Sequence, residues 1–159
     1  DLARVASVLE GLGTAEAVPG PRIRFTTTAG NLREAVRRAL SGLDLDHFIQ
    51  IGSVDTGKAI ELHYHFTGPH RAVVTVAVAL PREGTRAPSL ADLLPPAGLL
   101  ERQVHDLMGV EFDGHPALDR FILNEDWPAG EHPLRKDWKP REGAFYGGVR
   151  DAAPGPGGG

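Results

Sequence analysis

Ile60, Leu62, Tyr64 and Phe66 alternate strictly with Glu61, His63 and His65. A period of two puts the four apolar side chains on one face of an extended strand and the polar three on the other. The turn Thr67-Gly68-Pro69-His70 follows, and then Ala72 to Leu80, a β-branched run that a sheet interior could bury on both faces. Ahead of the alternating stretch, Phe48 to Val54 leads into a second turn, Asp55-Thr56-Gly57-Lys58. Connections this short join antiparallel neighbours. The centre of the chain is therefore read as an antiparallel meander with one apolar face to cover.

The cover comes from the N-terminal third. Leu2, Val5, Leu9 and Leu12 repeat at helical spacing, with Gly11 and Gly13 marking a stop. Pro19-Gly20-Pro21 breaks the chain before a short strand, Arg22 to Thr27, with Ile23 and Phe25 on one face. Asn31 is placed to cap a second helix with Leu32, Ala35, Val36, Ala39, Leu40 and Leu43 on its apolar stripe. Glu34, Arg37 and Arg38 take its wet side, and Gly42 lies near its end. Further on, Ser89 with Asp92 reads as a cap for a helical segment from Leu90 to Leu94. Pro95-Pro96 interrupts it, and a second segment carries Leu100, Val104 and Leu107 on one stripe. The expected fold is α+β: a two-layer domain, mainly antiparallel sheet covered by helices on one side, spanning residues 1–112.

After Phe112 the periodicity vanishes. Residues 113–159 hold turns, two Trp, alternating charges and a final Pro154-Gly155-Pro156-Gly157-Gly158-Gly159. A structureless stretch of that length is rare inside a compact domain. It is read as an extended tail that clasps either its own domain or another protein. Trp and Arg anchor interfaces, and the prolines stiffen an extended approach.

Composition removes several function classes. At 159 residues the chain is one domain's worth. With 17 Lys+Arg against 21 Asp+Glu the net charge is −4, so no basic excess exists to neutralise nucleic-acid phosphates. The absence of Cys excludes disulfides, thiol catalysis and Cys-ligated zinc or iron–sulfur clusters on this sequence. The longest apolar stretch, Ala72 to Leu80, contains Thr75 and is about half what a membrane-spanning helix needs. No signal-peptide pattern opens the sequence, and a soluble protein is expected.

Three constellations invite chemistry. Gly52-Ser53-Val54-Asp55-Thr56-Gly57-Lys58 has the letters of a phosphate loop, yet Ala59 follows the lysine and a strand follows the loop, so a hairpin turn is expected. His63 and His65 point the same way from one strand, with His47 and His70 as possible neighbours. A solvated sheet face is expected there; the alternative is a transition-metal site of a stand-alone enzyme, which lacks a fixed third ligand. Glu101 with His105, and Arg102 with Asp106, are (i, i+4) pairs, read as surface helix contacts worth a few tenths of a kcal/mol each.

The run Glu101-Arg102-Gln103-Val104-His105-Asp106-Leu107-Met108-Gly109-Val110-Glu111-Phe112-Asp113-Gly114-His115-Pro116, followed by Asn124-Glu125-Asp126-Trp127 and His132-Pro133-Leu134-Arg135-Lys136-Asp137, resembles a family signature. It is similar to that of the 30-kDa subunit of respiratory complex I, the C-type subunit of bacterial NADH:quinone oxidoreductase. That pattern reads E-R-E-x-x-D, two apolar or aromatic residues, Gly, G-H-P, an Arg, D-D-W and H-P-L-R-K-D. Gln103, Met108, Asp119 and Asn124 depart from it, and Glu131 lengthens the loop before His132. Trp127-Pro128 and that longer loop also resemble the homologous subunit of membrane-bound, energy-converting [NiFe] hydrogenases.

The resemblance implies a non-catalytic peripheral-arm subunit, supporting electron transfer from NADH to quinone coupled to proton translocation. It implies docking on the large 49-kDa-type subunit and no cofactor on this chain, with flavin, iron–sulfur clusters and quinone on partners. It implies attachment to the cytoplasmic face of the bacterial plasma membrane through the complex alone. Carried over onto this sequence, the interface residues are Glu101, Arg102, Asp106, Gly109, His115, Pro116, Arg120, Asp126, Trp127, His132, Pro133, Leu134, Arg135, Lys136, Asp137 and Trp138.

Overall fold

The computed structural model describes residues 1–68 and 71–147. Ten elements follow in order: α1 (Leu2–Val8), β1 (Gly13–Val18), β2 (Arg22–Thr27), α2 (Leu32–Gly42), β3 (His47–Asp55), β4 (Ala59–Thr67), β5 (Val73–Pro81), β6 (Arg86–Pro88), α3 (Ala97–Met108) and β7 (Glu111–Asp113). The main sheet runs β1-β2-β5-β4-β3. The fold is α+β, as expected, and the meander β3–β4–β5 is antiparallel throughout.

The other half keeps the sheet mainly antiparallel, as expected, and adds one parallel seam. β2 pairs with β5 in parallel, Phe25 opposite Val76, so the sheet is mixed. The chain leaves β2 through α2 and the β3–β4 hairpin before β5 returns in the same direction, the long crossover that a parallel pair needs. Beyond β2 lies a strand that the sequence pattern does not announce, β1, in a hairpin with it. β1 has no fully buried residue, so no alternation betrays it. The first helix is correspondingly short, ending at Val8 and leaving Leu12 outside it.

Alternation in β4 sorts the faces as read. Ile60, Leu62, Tyr64 and Phe66 are fully buried against α2 and α3 residues in one core, which also takes Ile23 and Phe25 of β2 and Ile51 of β3. All helical core residues join that cluster, so the helices cover one face. The opposite face, with Arg24, Thr75, His65 and Gln50 paired across four strands, has no helix over it among the described residues. Thr75 and Ala77 are nonetheless buried, consistent with the central place of β5. Gly57, at φ 82°, closes the β3–β4 hairpin, and Thr56 N–H donates to the Ala59 carbonyl at 3.0 Å; the phosphate-loop letters are a turn. The turn Thr67-Gly68-Pro69-His70 lies partly outside the described residues, and Pro154 to Gly159 wholly so.

Two further expectations fail. Asn31 sits at the start of α2, but its side chain makes no capping bond and instead donates to the Leu12 carbonyl at 3.4 Å. Leu90 to Leu94 makes one turn, not a helix: the Leu94 N–H reaches Leu90 O, and Pro95-Pro96 then removes the next two donors. Helix α3 starts after those prolines, and the side chains it fully buries are Ala97, Glu101, Val104, Asp106 and Met108. Leu100 and Leu107 are half-buried. The three-residue strands β6 and β7 pair in parallel and fasten the chain after β5 to the chain after α3.

Candidate functional site

Helix α3 and the tail segments folded over it hold nearly all the motif residues. The charged side chains at helical spacing are not surface pairs. Glu101 is completely buried: it accepts the Ser89 hydroxyl and the Leu90 N–H, both at 2.6 Å. Burial pushes its carboxyl up, against the two donors that favour the charged form. Beside it, His115 accepts the Ala117 N–H on Nδ1 at 3.0 Å, which leaves Nε2 to donate to the Gly98 carbonyl at 2.8 Å. Glu101 and His115 thus tie α3 to the turn before it and to the chain after it.

Asp106, one side of the second expected pair, is 5 % exposed. One of its oxygens, Oδ2, accepts three successive backbone N–H groups: Phe121 and Ile122 at 2.7 Å and Leu123 at 3.2 Å. Burial pushes this carboxyl up, but the three donors outweigh it and the group sits below its ordinary value. Arg102 does not meet Asp106. It donates to the carbonyls of Asp119 and Arg120 at 3.2 Å and lies over the Phe121 ring, 5.1 Å from the centroid.

Gly109 ends α3 at φ 72°, the left-handed conformation a helix stop favours. The His132 ring packs where a Cβ would stand, and its Nδ1 donates to the Asp106 carbonyl at 2.8 Å. The next residues complete a latch. Leu134 N–H donates to Leu107 O at 3.0 Å. The Arg135 fork donates to the Met108 carbonyl at 2.5 Å, the Arg82 carbonyl at 2.8 Å and Thr85 Oγ1 at 3.0 Å. Lys136 donates its backbone N–H to Asp55, while Arg82 bridges Asp55 and Asp137 at 2.7 and 2.9 Å.

A small aromatic cluster closes the described tail. Trp127 stacks on Trp138 with centroids 5.8 Å apart, and Tyr146 meets both edge-on at 4.9 and 5.5 Å. Glu131 accepts from both indoles, through its carbonyl from Trp127 and its carboxylate from Trp138, and pairs with Arg141. Arg120 folds inward onto the carbonyls of Asn124 and Trp127, at 2.6 and 2.7 Å. Pro116, Asp126 and the Lys136 side chain stand exposed, and Pro133 is half-buried.

The described tail therefore clasps its own domain. Most of the charged groups singled out in the motif bind main-chain atoms or each other. Asp55, Arg82, Thr85 and Ser89 also hold these segments, and the sequence marks none of them as a site residue; Asp55 and Ser89 read only as turn and cap residues. No sequence signal joins Asp55 to Lys136 across 81 positions.

On the open sheet face, His63 Nε2 donates to Glu61 at 3.0 Å, and His65 Nδ1 shares a hydrogen with Thr75 Oγ1 at 2.8 Å. Burial, with His63 nearby, pulls the His65 imidazole below its usual value. His47 is exposed and pairs with Thr67; His70 lies outside the described residues. Among the described residues, no three His, Asp or Glu side chains converge on a metal position.

A family model described as respiratory-chain NADH dehydrogenase, 30 Kd subunit, matches residues 25–143. The C-type subunit of NADH-quinone oxidoreductase from Acidothermus cellulolyticus is 37% identical over 108 residues, covering 67% of this chain and 52% of that protein. The C/D-type subunit of the same enzyme from Gluconacetobacter diazotrophicus is 39% identical over 88 residues, which are 55% of this chain and 14% of that one. The chain thus spans about half the length, or less, of the curated relatives it matches. Among solved structures, a chain of the membrane-bound sulfane sulfur reductase, an archaeal respiratory membrane complex, superposes with a TM-score of 0.75 at 28% identity, covering 85% of this chain and 83% of that chain.

Proposed function

Because the chain belongs to the family of the 30-kDa subunit of respiratory-chain NADH dehydrogenase, we propose that it is a non-catalytic peripheral-arm subunit of an NADH:quinone oxidoreductase. It docks on the large 49-kDa-type subunit and supports NADH-to-quinone electron transfer coupled to proton translocation. Flavin, iron–sulfur clusters and quinone belong to its partners, and it reaches the cytoplasmic face of the membrane through the complex. Among the described residues no helix is long and apolar enough to cross a membrane.

The observation that carries this reading is the family match across residues 25–143, which takes in most of the sheet, α3 and the whole inward-turned latch. The C/D-type relatives support the partner, because there the matching sequence is part of one polypeptide that bears both letters in its name. A cysteine-free sequence supports the absence of an iron–sulfur cluster on this chain. The likeness to the archaeal sulfane sulfur reductase complex favours one second reading, the equivalent subunit of a related membrane complex that does not use NADH, such as an energy-converting hydrogenase.

A tagged chain recovered from membranes of its native host separates the two. The first reading expects the 49-kDa-type subunit (the D-type partner), flavoprotein and iron–sulfur subunits in fixed ratio and NADH:quinone activity in the eluate. A partner set without an NADH-oxidising flavoprotein overturns it, and a nickel-bearing subunit in that set establishes the second.

A further inference from the structure

Seven large apolar side chains stand exposed among the described residues, and four of them, Leu99, Phe121, Ile122 and Leu134, belong to α3 or to the two tail segments bonded to it. Phe121 and Ile122 are 45% and 49% exposed. Their backbone is nevertheless held firmly. Asp106 takes the N–H groups of Phe121, Ile122 and Leu123, Arg102 holds the carbonyls of Asp119 and Arg120, and Arg120 itself turns inward. At residues 119–123 the loop thus turns main-chain polar groups inward and the Phe121 and Ile122 side chains outward, the reverse of an ordinary solvated loop. The structure uses two buried or half-buried charged side chains to keep it so.

Apart from Arg102 and Arg120, which are both bonded to main-chain carbonyls, the charge around the pair is acidic. Asp119, Glu125 and Asp126 are exposed and form no ion pair among the described residues, while the loop's one basic side chain, Arg120, is bonded to main-chain carbonyls. We propose that residues 119–126 are a preformed docking knob: Phe121 and Ile122 enter an apolar pocket with a basic rim on the D-type subunit. Leu99, one helical turn before the Arg102 that covers the Phe121 ring, adds to the same surface. The partner's identity rests on the functional reading above; the surface rests on this structure. A rigid aromatic–aliphatic pair loses little freedom on docking, and the acidic rim steers the approach of a basic partner.

The test compares tagged wild type, Phe121→Ser with Ile122→Ser, and the control Ile49→Ser with Val54→Ser, whose side chains are equally exposed on β3. D-type subunit retained after purification from native membranes is quantified, and each purified chain is melted. The knob expects at least a tenfold loss of retained subunit for the first pair only, with unchanged melting temperatures. Glu125→Lys with Asp126→Lys expects weaker retention and loss of its dependence on salt. Wild-type retention by the Phe121/Ile122 pair overturns the knob while leaving the functional reading intact. A wild-type chain that retains no D-type subunit overturns both. Should the serine pair melt lower, the lysine pair decides, and retention at or above wild type overturns the knob.

Discussion

Asp55 Oδ2 accepts the backbone N–H of Lys136 at 2.8 Å, joining the first hairpin of the meander to a tail residue 81 positions later. The Asp55 side chain is 2% exposed, and Arg82 donates two more bonds to it. The Arg82 guanidinium, with the Lys136 and Gly57 N–H groups, holds this carboxyl well below the usual carboxylate range despite its burial. A carboxyl depressed by folding contributes stability in full above its unfolded pKa, near 4, and loses it as pH falls from there through the folded value. Asp55→Asn should therefore cost about 2–4 kcal/mol at pH 7. In thermal melts at a series of pH values, the gap between wild type and variant should narrow only below about pH 4.

Gly109 and Gly114 both have positive φ, 72° and 83°, but differ in surroundings. A methyl group at Gly109 runs into the His132 ring, whereas Gly114 has open space. Gly114→Ala should cost about 1 kcal/mol for its backbone alone, and Gly109→Ala about 2–4 kcal/mol, because His132 must also leave the Asp106 carbonyl. Denaturant melts of the two variants make the comparison, and equal costs would mean that the His132 contact is not formed in solution.

Leu62→Asp should prevent folding. The side chain is fully buried, and an unpaired carboxylate there costs several kcal/mol, comparable with the stability of a whole domain. Glu61→Gln, one residue away on the open face, should melt within a degree or two of wild type. Circular dichroism of the two variants reads this directly.

Arg135→Ala should lower the stability of the isolated chain, because it strips donors from two main-chain carbonyls and Thr85. The expected cost is about 1–3 kcal/mol, with Arg135→Lys recovering little, since an ammonium cannot reproduce the planar fork. Hydrogen exchange at residues 132–136 should accelerate in the same variant. A chain ending at Phe112 should still fold around its core, with a lower melting temperature than the full chain; among the described tail residues, Leu118 is the only apolar side chain packed on that core.

Elements with a strong period were readable in advance. Alternation named the buried face of β4, and helical spacing named the stripe of α2, because burial on one side of a regular element leaves a periodic trace. β1 left none, lying at the sheet edge with no fully buried residue, and β6 and β7 are too short to show one. Glu101 and Asp106 misled for a different reason. A carboxylate at helical spacing from a cation reads as solvated, and the Ser89 and Leu90 donors and the Phe121–Leu123 amides that bury it lie in irregular chain. The family signature located that region, while the direction in which each side chain turns required the fold.

The parallel seam between β2 and β5 also sets an order of events during synthesis. Hairpin β1–β2 leaves the ribosome before β5, but its open edge pairs with residues 73–78, which appear only after α2, β3 and β4 have been made. Until then that edge of β2 has no partner strand and its main-chain polar groups stay unpaired. Closing so long a loop costs entropy before any pairing repays it. The N-terminal hairpin is the first part of the sheet to be translated, and β5 must be in place before it can finish folding.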